Sequence, residues 1–175
     1  MKKCLIVIDM QNDFIDGALG TKEAPLIIPG IQDKIRTFKE NEDIIIFTRD
    51  THGPDYLSTF EGKHLPVEHC ILGTRGHQIS SDLDTSGSIV LDKPNFGSLA
   101  LADKVYEINQ LEEGLEEIEL VGLCTDICVV SNALILKAKL PENLISVDSR
   151  ACAGVTVDSH EAALTIMRMC QINIK

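Results

Sequence analysis

Basic residues are scarce in this chain: 16 lysines and arginines stand against 27 aspartates and glutamates, a formal charge of −11 at pH 7. An acidic balance of that size argues against nucleic acid as a partner, because phosphates require a basic face. Long apolar runs are missing too. No stretch approaches the roughly 20 residues that cross a bilayer, so no membrane span is expected. Lys2-Lys3 leads straight into the strand-like run CLIVIDM, without the layout of a secretion signal. The six cysteines are therefore expected as reduced thiols in a cytoplasmic protein rather than as a disulfide framework. No internal repeat, low-complexity tract or linker divides the sequence, and its length suits a single domain over residues 1–175. Glu107–Glu119 holds six glutamates and no lysine or arginine, which reads as a solvated helix face.

What is present is a rhythm of apolar runs. Cys4–Ile8, Ile44–Phe47, Ile89–Leu91, Ile118–Leu123 and Leu144–Val147 read as strands. Between the first two, Ile31, Ile35 and Phe38 recur at helical spacing after Pro29-Gly30. Cys128–Leu140 reads as a helix opened by a Thr125-Asp126 N-cap. Another helix runs through Ala162, Ala163, Ile166, Met167 and Cys170, with Asp158-Ser159 as its cap. Continuously apolar strands alternating with helices predict an α/β fold: a three-layer α/β/α arrangement around a mostly parallel sheet. Ligands in such sheets bind beyond the carboxyl ends of the strands.

The chemically capable residues stand there. Asp9 ends the first run, Asp50 and His52 follow the second, Lys93 the third and Cys128 the fourth. A thiol at a helix N-terminus meets unpaired backbone N–H groups and the positive end of the helix dipole, which favours the thiolate. Lys93 can add positive charge, and Asp9 can take the thiol proton and pass it to a leaving amine. Backbone N–H groups of the Leu123–Cys128 turn can hold an oxyanion. Together these parts specify acyl transfer through a thioester. A second group, Asp50 and His52 with Glu61, His64 and His69 downstream, has the donors for a divalent metal, with Glu61 or His64 completing the set. The long, histidine-bearing segment Thr51–Ser86 is expected to be a functional loop.

These motifs resemble the isochorismatase-like cysteine hydrolases, and within them the nicotinamidase/pyrazinamidase group. IVIDMQNDF (Ile6–Phe14) is similar to the opening strand with its catalytic aspartate, here Asp9. FTRDTH (Phe47–His52) matches the strand leading into the metal-binding D-x-H. LPVEHCILGTRG (Leu65–Gly76) places His69 as a metal ligand, and DKPNFGS (Asp92–Ser98) carries the lysine position, Lys93. VGLCTDICV (Val121–Val129) looks like the nucleophile loop with Cys128, and SRACAG…SHEAAL (Ser149–Leu164) fits the last strand and helix. The resemblance implies a Rossmann-like hydrolase fold and a cis peptide at Leu123–Cys124, which would aim the N–H groups of Cys124 and Cys128 at an oxyanion. It also implies a divalent metal (zinc first, iron or manganese on the same donors), a small amide such as nicotinamide as substrate, and a homodimer or higher homo-oligomer.

Three departures bear on the substrate. The chain has no tryptophan; Leu65 occupies the approximate place of the aromatic residue that sandwiches a pyridine ring, and Phe14 remains as the other half. Tyr56 stands where many members carry a metal histidine, and Glu61 fits the glutamate that some relatives use instead. Cys124 replaces a common alanine, and its spacing from Cys128 admits a disulfide. Within the family, another small amide or a vinyl ether such as isochorismate is the alternative substrate. The thiol favours the amide, since vinyl-ether hydrolysis needs none. A non-catalytic, redox-sensing protein built on the same scaffold is the reading from a different class.

Overall fold

The computed structural model describes residues 1–175. In chain order its regular elements are β1 (Lys3–Ile8), α1 (Asn12–Ile15), α2 (Ile28–Glu40), β2 (Ile44–Asp50), α3 (Phe60–His64), β3 (Ile89–Lys93), α4 (Leu99–Leu111), β4 (Glu117–Leu123), α5 (Val130–Lys139), β5 (Ile145–Ala153), α6 (Val157–Met169) and β6 (Asn173–Ile174). The strands form one sheet in the order β3-β2-β1-β4-β5-β6, with every neighbouring pair parallel.

The apolar runs are continuous because both faces of the sheet are covered. On β1, Cys4, Ile6 and Ile8 join a core with Leu101 and Val105 of α4, Ala133 and Leu136 of α5, and Leu164 and Met167 of α6. Leu5 and Val7 face the other way, toward Ile31, Ile35 and Phe38 of α2. Alternation along a strand thus feeds two cores, and the three-layer α/β/α expectation holds. No helix is long and apolar enough to cross a membrane.

Strand order reverses between β1 and β4: from β1 the chain builds outward to β2 and β3, and from β4 outward to β5 and β6. Crevices at such reversals are where open parallel sheets bind ligands. Gly122 lets β4 lie close to β1 there. Its φ is +116°, and an added Cβ would fall 2.1 Å from the carbonyl oxygen of Ile8. Only glycine meets both demands.

Several details depart from the sequence expectations. Strand β5 runs on to Ala153, through a polar stretch and past an irregularity in its register with β4 near Gly122. Helix α6 is capped by Thr156, in a reciprocal box with Ser159, rather than by Asp158-Ser159. The glutamate run Glu107–Glu119 is not a solvated helix face. Glu107 ends on α4, whereas Glu117 and Glu119 are buried on β4. Glu119 pairs with Lys34 at 2.5 Å and Lys175 at 2.9 Å, and Glu117 with Lys175 at 2.6 Å. Asp148 on β5 meets the same Lys34 at 2.7 Å. Cations from α2 and from the residue after β6 compensate carboxylates that would otherwise be costly to bury.

Candidate active site

The strand ends do converge. Asp9 leaves β1 with a left-handed φ of 47°, which turns the chain out of the sheet. Its Oδ1 accepts a hydrogen bond from Thr48 Oγ1 at 2.6 Å, and Oδ2 lies 2.6 Å from Lys93 Nζ. The same ammonium stands 3.3 Å from Asp50 Oδ1 and 3.5 Å from Cys128 Sγ, and donates to the Asn95 carbonyl at 3.0 Å. Asp9, Lys93 and Cys128 are all buried, at 0%, 1% and 4% exposure. Burial works against charge on Lys93, but Asp9, Cys128 and Asp50 outweigh it and hold the ammonium charged far above neutrality. Lys93 is therefore a fixed positive charge and not a base.

The thiol differs from the sequence expectation. Burial, together with the negative charge of Asp9, pushes Cys128 well above the ordinary thiol range, and Lys93 only partly opposes this. Burial likewise raises the Asp9 carboxyl against the pull of Lys93. The helix-terminus argument failed for a local reason. Thr125–Val129 forms a π-helical turn ahead of α5, so Cys128 does not sit in the first turn of an α-helix. Nor do Thr125 and Asp126 cap that turn: Thr125 Oγ1 bonds His160 Nδ1 at 2.8 Å, and Asp126 accepts the Val155 N–H at 3.1 Å. Cys128 therefore rests as a thiol, with the Asp9 carboxyl beside it.

The Leu123–Cys124 peptide is cis. The Cys124 carbonyl accepts from the N–H groups of Ile127 and Val129, while its own N–H has no acceptor in the protein. All six cysteines are free, so no disulfide joins Cys124 to Cys128. Burial, with Asp126 nearby, raises the Cys124 thiol to about 12.

The second group assembles as well. Ligand atoms of Asp50, His52, Glu61 and His69 all lie within 4.8 Å of one another. His52 Nε2 is 2.9 Å from Asp50 Oδ2 and 3.7 Å from Glu61 Oε1. His69 Nε2 is 3.6 Å from each of the same two carboxylates. Donors bound at about 2.0–2.2 Å around a tetrahedral ion stand roughly 3.3–3.6 Å apart; three of these spacings lie near that range, while the 2.9 Å pair and the widest separation in the group would have to adjust around an ion. His69 Nδ1 faces the Val67 carbonyl at 2.8 Å and so must carry the proton, which leaves Nε2 as a donor to a metal. Burial raises the Glu61 carboxyl, and Asp50 raises it further. Glu61 Oε1 is buried without a hydrogen-bond partner. An orphaned carboxylate oxygen between two imidazoles fits a divalent cation.

Glu61, not His64, completes this set: His64 is exposed, with its ring stacked 4.3 Å from Phe60. Tyr56 is no ligand. It packs 4.7 Å from the His52 ring and donates its hydroxyl to the Leu65 carbonyl at 2.9 Å. Burial near Glu61 and Asp50 raises that phenol to about 12, so it stays a donor.

Residues outside the sequence expectation hold these groups. Gln11, wholly buried, accepts the Asp50 N–H at 2.7 Å and donates to the Asp50 and His77 carbonyls at 2.8 and 2.9 Å. Thr48 fixes Asp9 from β2. Asp13 Oδ2 accepts the Cys70 N–H at 2.7 Å, which ties the His69 loop to α1. The only sequence signal for Gln11 and Thr48 is a polar residue beside or within an apolar strand. Phe14 and Leu65 share a small cavity with His69, Cys124, Ile127 and Cys128, and the Phe14 ring lies 5.6 Å from that of His69.

Known proteins resemble this chain over nearly all of its length. The nicotinamidase/pyrazinamidase of Mycobacterium tuberculosis is 27% identical over 98% of this chain and 97% of its own. The pyrazinamidase of Pyrococcus horikoshii, solved in complex with zinc, superposes with a TM-score of 0.85 at 28% identity, covering 100% of this chain and 99% of that one. The N-carbamoylsarcosine amidase of Thermoplasma acidophilum gives a TM-score of 0.81 at 26% identity, over 100% and 96% of the two chains. Residues 3–174 match the isochorismatase domain, and with the sheet order and strand-end residues described above, the chain belongs to the isochorismatase family.

Proposed function

We propose that this protein is a metal-assisted cysteine hydrolase of small carboxamides, with nicotinamide as the first substrate to test. The observation that carries this reading is the position of Lys93 Nζ, within 3.5 Å of Cys128 Sγ, Asp9 and Asp50 at once. It joins a thiol and its base to the edge of a metal-competent group.

Asp9 takes the proton from Cys128 as the sulfur attacks the carboxamide carbon, so no preformed thiolate is required. The ammonium of Lys93 stabilises the charge as it reaches sulfur. The N–H groups of Cys124 and Cys128 are assigned to the oxyanion. Collapse of the tetrahedral adduct breaks the C–N bond, and the proton on Asp9 leaves with the amine as ammonia. Asp9 then deprotonates a water that attacks the thioester, releasing the acid and returning the proton to sulfur. A divalent metal on Asp50, His52, Glu61 and His69 would supply a Lewis-acid anchor for a lone pair of the substrate; zinc is the first expectation, and iron or manganese suits the same donors. Phe14 and Leu65 would flank the substrate.

A second reading within the family is a small amide without a pyridine ring. The absence of tryptophan favours it, and the likeness to N-carbamoylsarcosine amidase keeps such substrates in view. The redox-sensing reading has less support, since the cysteines are unpaired and Asp9 and Lys93 crowd one thiol. By the same resemblance we propose cytoplasmic assembly as a homodimer or larger, which sedimentation would test. The deciding experiment is ammonia release from nicotinamide by metal-loaded protein, with Cys128→Ala as control. Turnover abolished by the substitution supports the mechanism and the substrate. No turnover, with Cys128 still alkylated quickly, removes nicotinamide and leaves the cysteine hydrolase.

A further inference from the structure

The cavity over Cys128 is small, about 40 Å³. Glu61, Leu65 and Phe96 line both it and a neighbouring cavity of about 310 Å³. Phe60, His64 and Asn95 complete the outer chamber. Sites for small organic ligands usually span about 300–1,000 Å³. The inner cavity falls far below that range, and the outer one reaches it. The inner space thus suits the reacting carboxamide and little more.

The outer walls are unusually apolar for a surface. Phe60 is 79% exposed, Phe96 44% and Leu65 37%. Phe60 sits on α3 directly before Glu61, whose Oε1 belongs to the metal-competent group, and its ring is held against His64 at 4.3 Å. Phe96 lies three residues beyond Lys93 and lines both cavities. Exposed aromatic side chains clustered at the mouth of a reactive pocket mark a ligand-binding groove. In a chain with no tryptophan and only five phenylalanines, placing two of them there is a concentrated use of aromatic surface.

We propose that the outer chamber is a second substrate subsite, which takes an apolar, aromatic arm attached to the amide, and that Phe60 is the residue that sets this preference. The proposal rests on the amide-hydrolase reading and narrows it. The natural substrate is then a carboxamide larger than a bare heteroaromatic ring, with its reacting end over Cys128 and its arm between Phe60 and Phe96.

The test uses alkylation of the intact protein by iodoacetamide and by N-phenethyl iodoacetamide, with the rate at each cysteine read by peptide mass. Exposed Cys170 serves as an internal reference for intrinsic reactivity. The phenethyl reagent is expected to label Cys128 about tenfold faster than iodoacetamide does, with no such gain at Cys170. Phe60→Ala, which lines only the outer chamber, should abolish the gain and leave the iodoacetamide rate at Cys128 unchanged. Equal gains at the two thiols, or a gain that survives Phe60→Ala, would overturn the subsite. A gain that survives while Phe60→Ala changes the sedimentation coefficient would reassign the surface to contact between copies of the chain. If neither reagent labels Cys128, its burial and protonation account for the silence, and the amide-hydrolase reading is judged separately by ammonia release. The subsite is then decided by calorimetric binding of N-phenethylacetamide, where equal affinities of the parent and Phe60→Ala would reject it.

Discussion

The ammonium of Lys93 stands 2.6 Å from Asp9 Oδ2, with neither side chain accessible to solvent. Lys93 is the only cation within ion-pair reach of Asp9, and it is also shared with Asp50. Lys93→Met should therefore leave buried carboxylates uncompensated and cost about 3–5 kcal/mol of stability. Urea unfolding at neutral pH measures this, and an unchanged midpoint would contradict the charge balance described for the site.

Asp9→Asn preserves the shape of the side chain and an acceptor for Thr48, but removes the proton acceptor. On a substrate that the parent turns over, kcat should fall by about 10²–10⁴ while KM changes little. A variant that kept its kcat would move the base elsewhere.

Glu61 was the expected fourth member of the metal group with His64 as its alternative, and the fold separates them: Glu61 reaches the set and His64 stays outside. Glu61→Ala should weaken divalent-metal affinity by about tenfold or more, whereas His64→Ala should keep the parent's metal content after dialysis. Chelation should lower the melting temperature of the parent, because the cation binds only the folded group. Identical metal content in the parent and Glu61→Ala would remove Glu61 from the set.

The carboxylates beneath α2 give an acid signature. Burial opposes their ionisation, but Lys175 and Ser146 outweigh it at Glu117, as Lys34 does at Asp148, so both sit below the ordinary carboxylate range. Depressed folded values contribute stability that is complete above the unfolded value of about 4 and drains away as pH falls through the folded values. Unfolding midpoints should thus decline below about pH 4, and Lys34→Met should flatten part of that decline. A slope that ignores Lys34→Met would show that the acid response arises elsewhere.

Asp9, Asp50, His52, Lys93 and Cys128 could be found in the sequence because a parallel sheet delivers the residue after each apolar run to one rim. Glu61 was favoured over His64 by resemblance alone; both sit on α3, and only its orientation shows that Glu61 is the one that reaches His52. The ionisation of Cys128 was misjudged because a helix start is visible in a sequence, while the burial that outweighs it is not. Glu119 looked solvent-exposed because its partner Lys34 lies 85 residues away. Gln11 and Thr48 gave only the weak signal of polar residues at apolar strands, and their role appears once β1 and β2 lie side by side.

Asp13 joins two parts of the site that would otherwise be free to change separately. It precedes Phe14, a wall of the inner cavity, and it grips the N–H that follows His69, a member of the metal group. Substitutions that shift one wall to admit a new substrate therefore pull on the backbone that aims a metal donor. Substrate range and metal retention become linked traits, and a lineage drifting toward a different amide would carry a changed hold on its cation as a by-product.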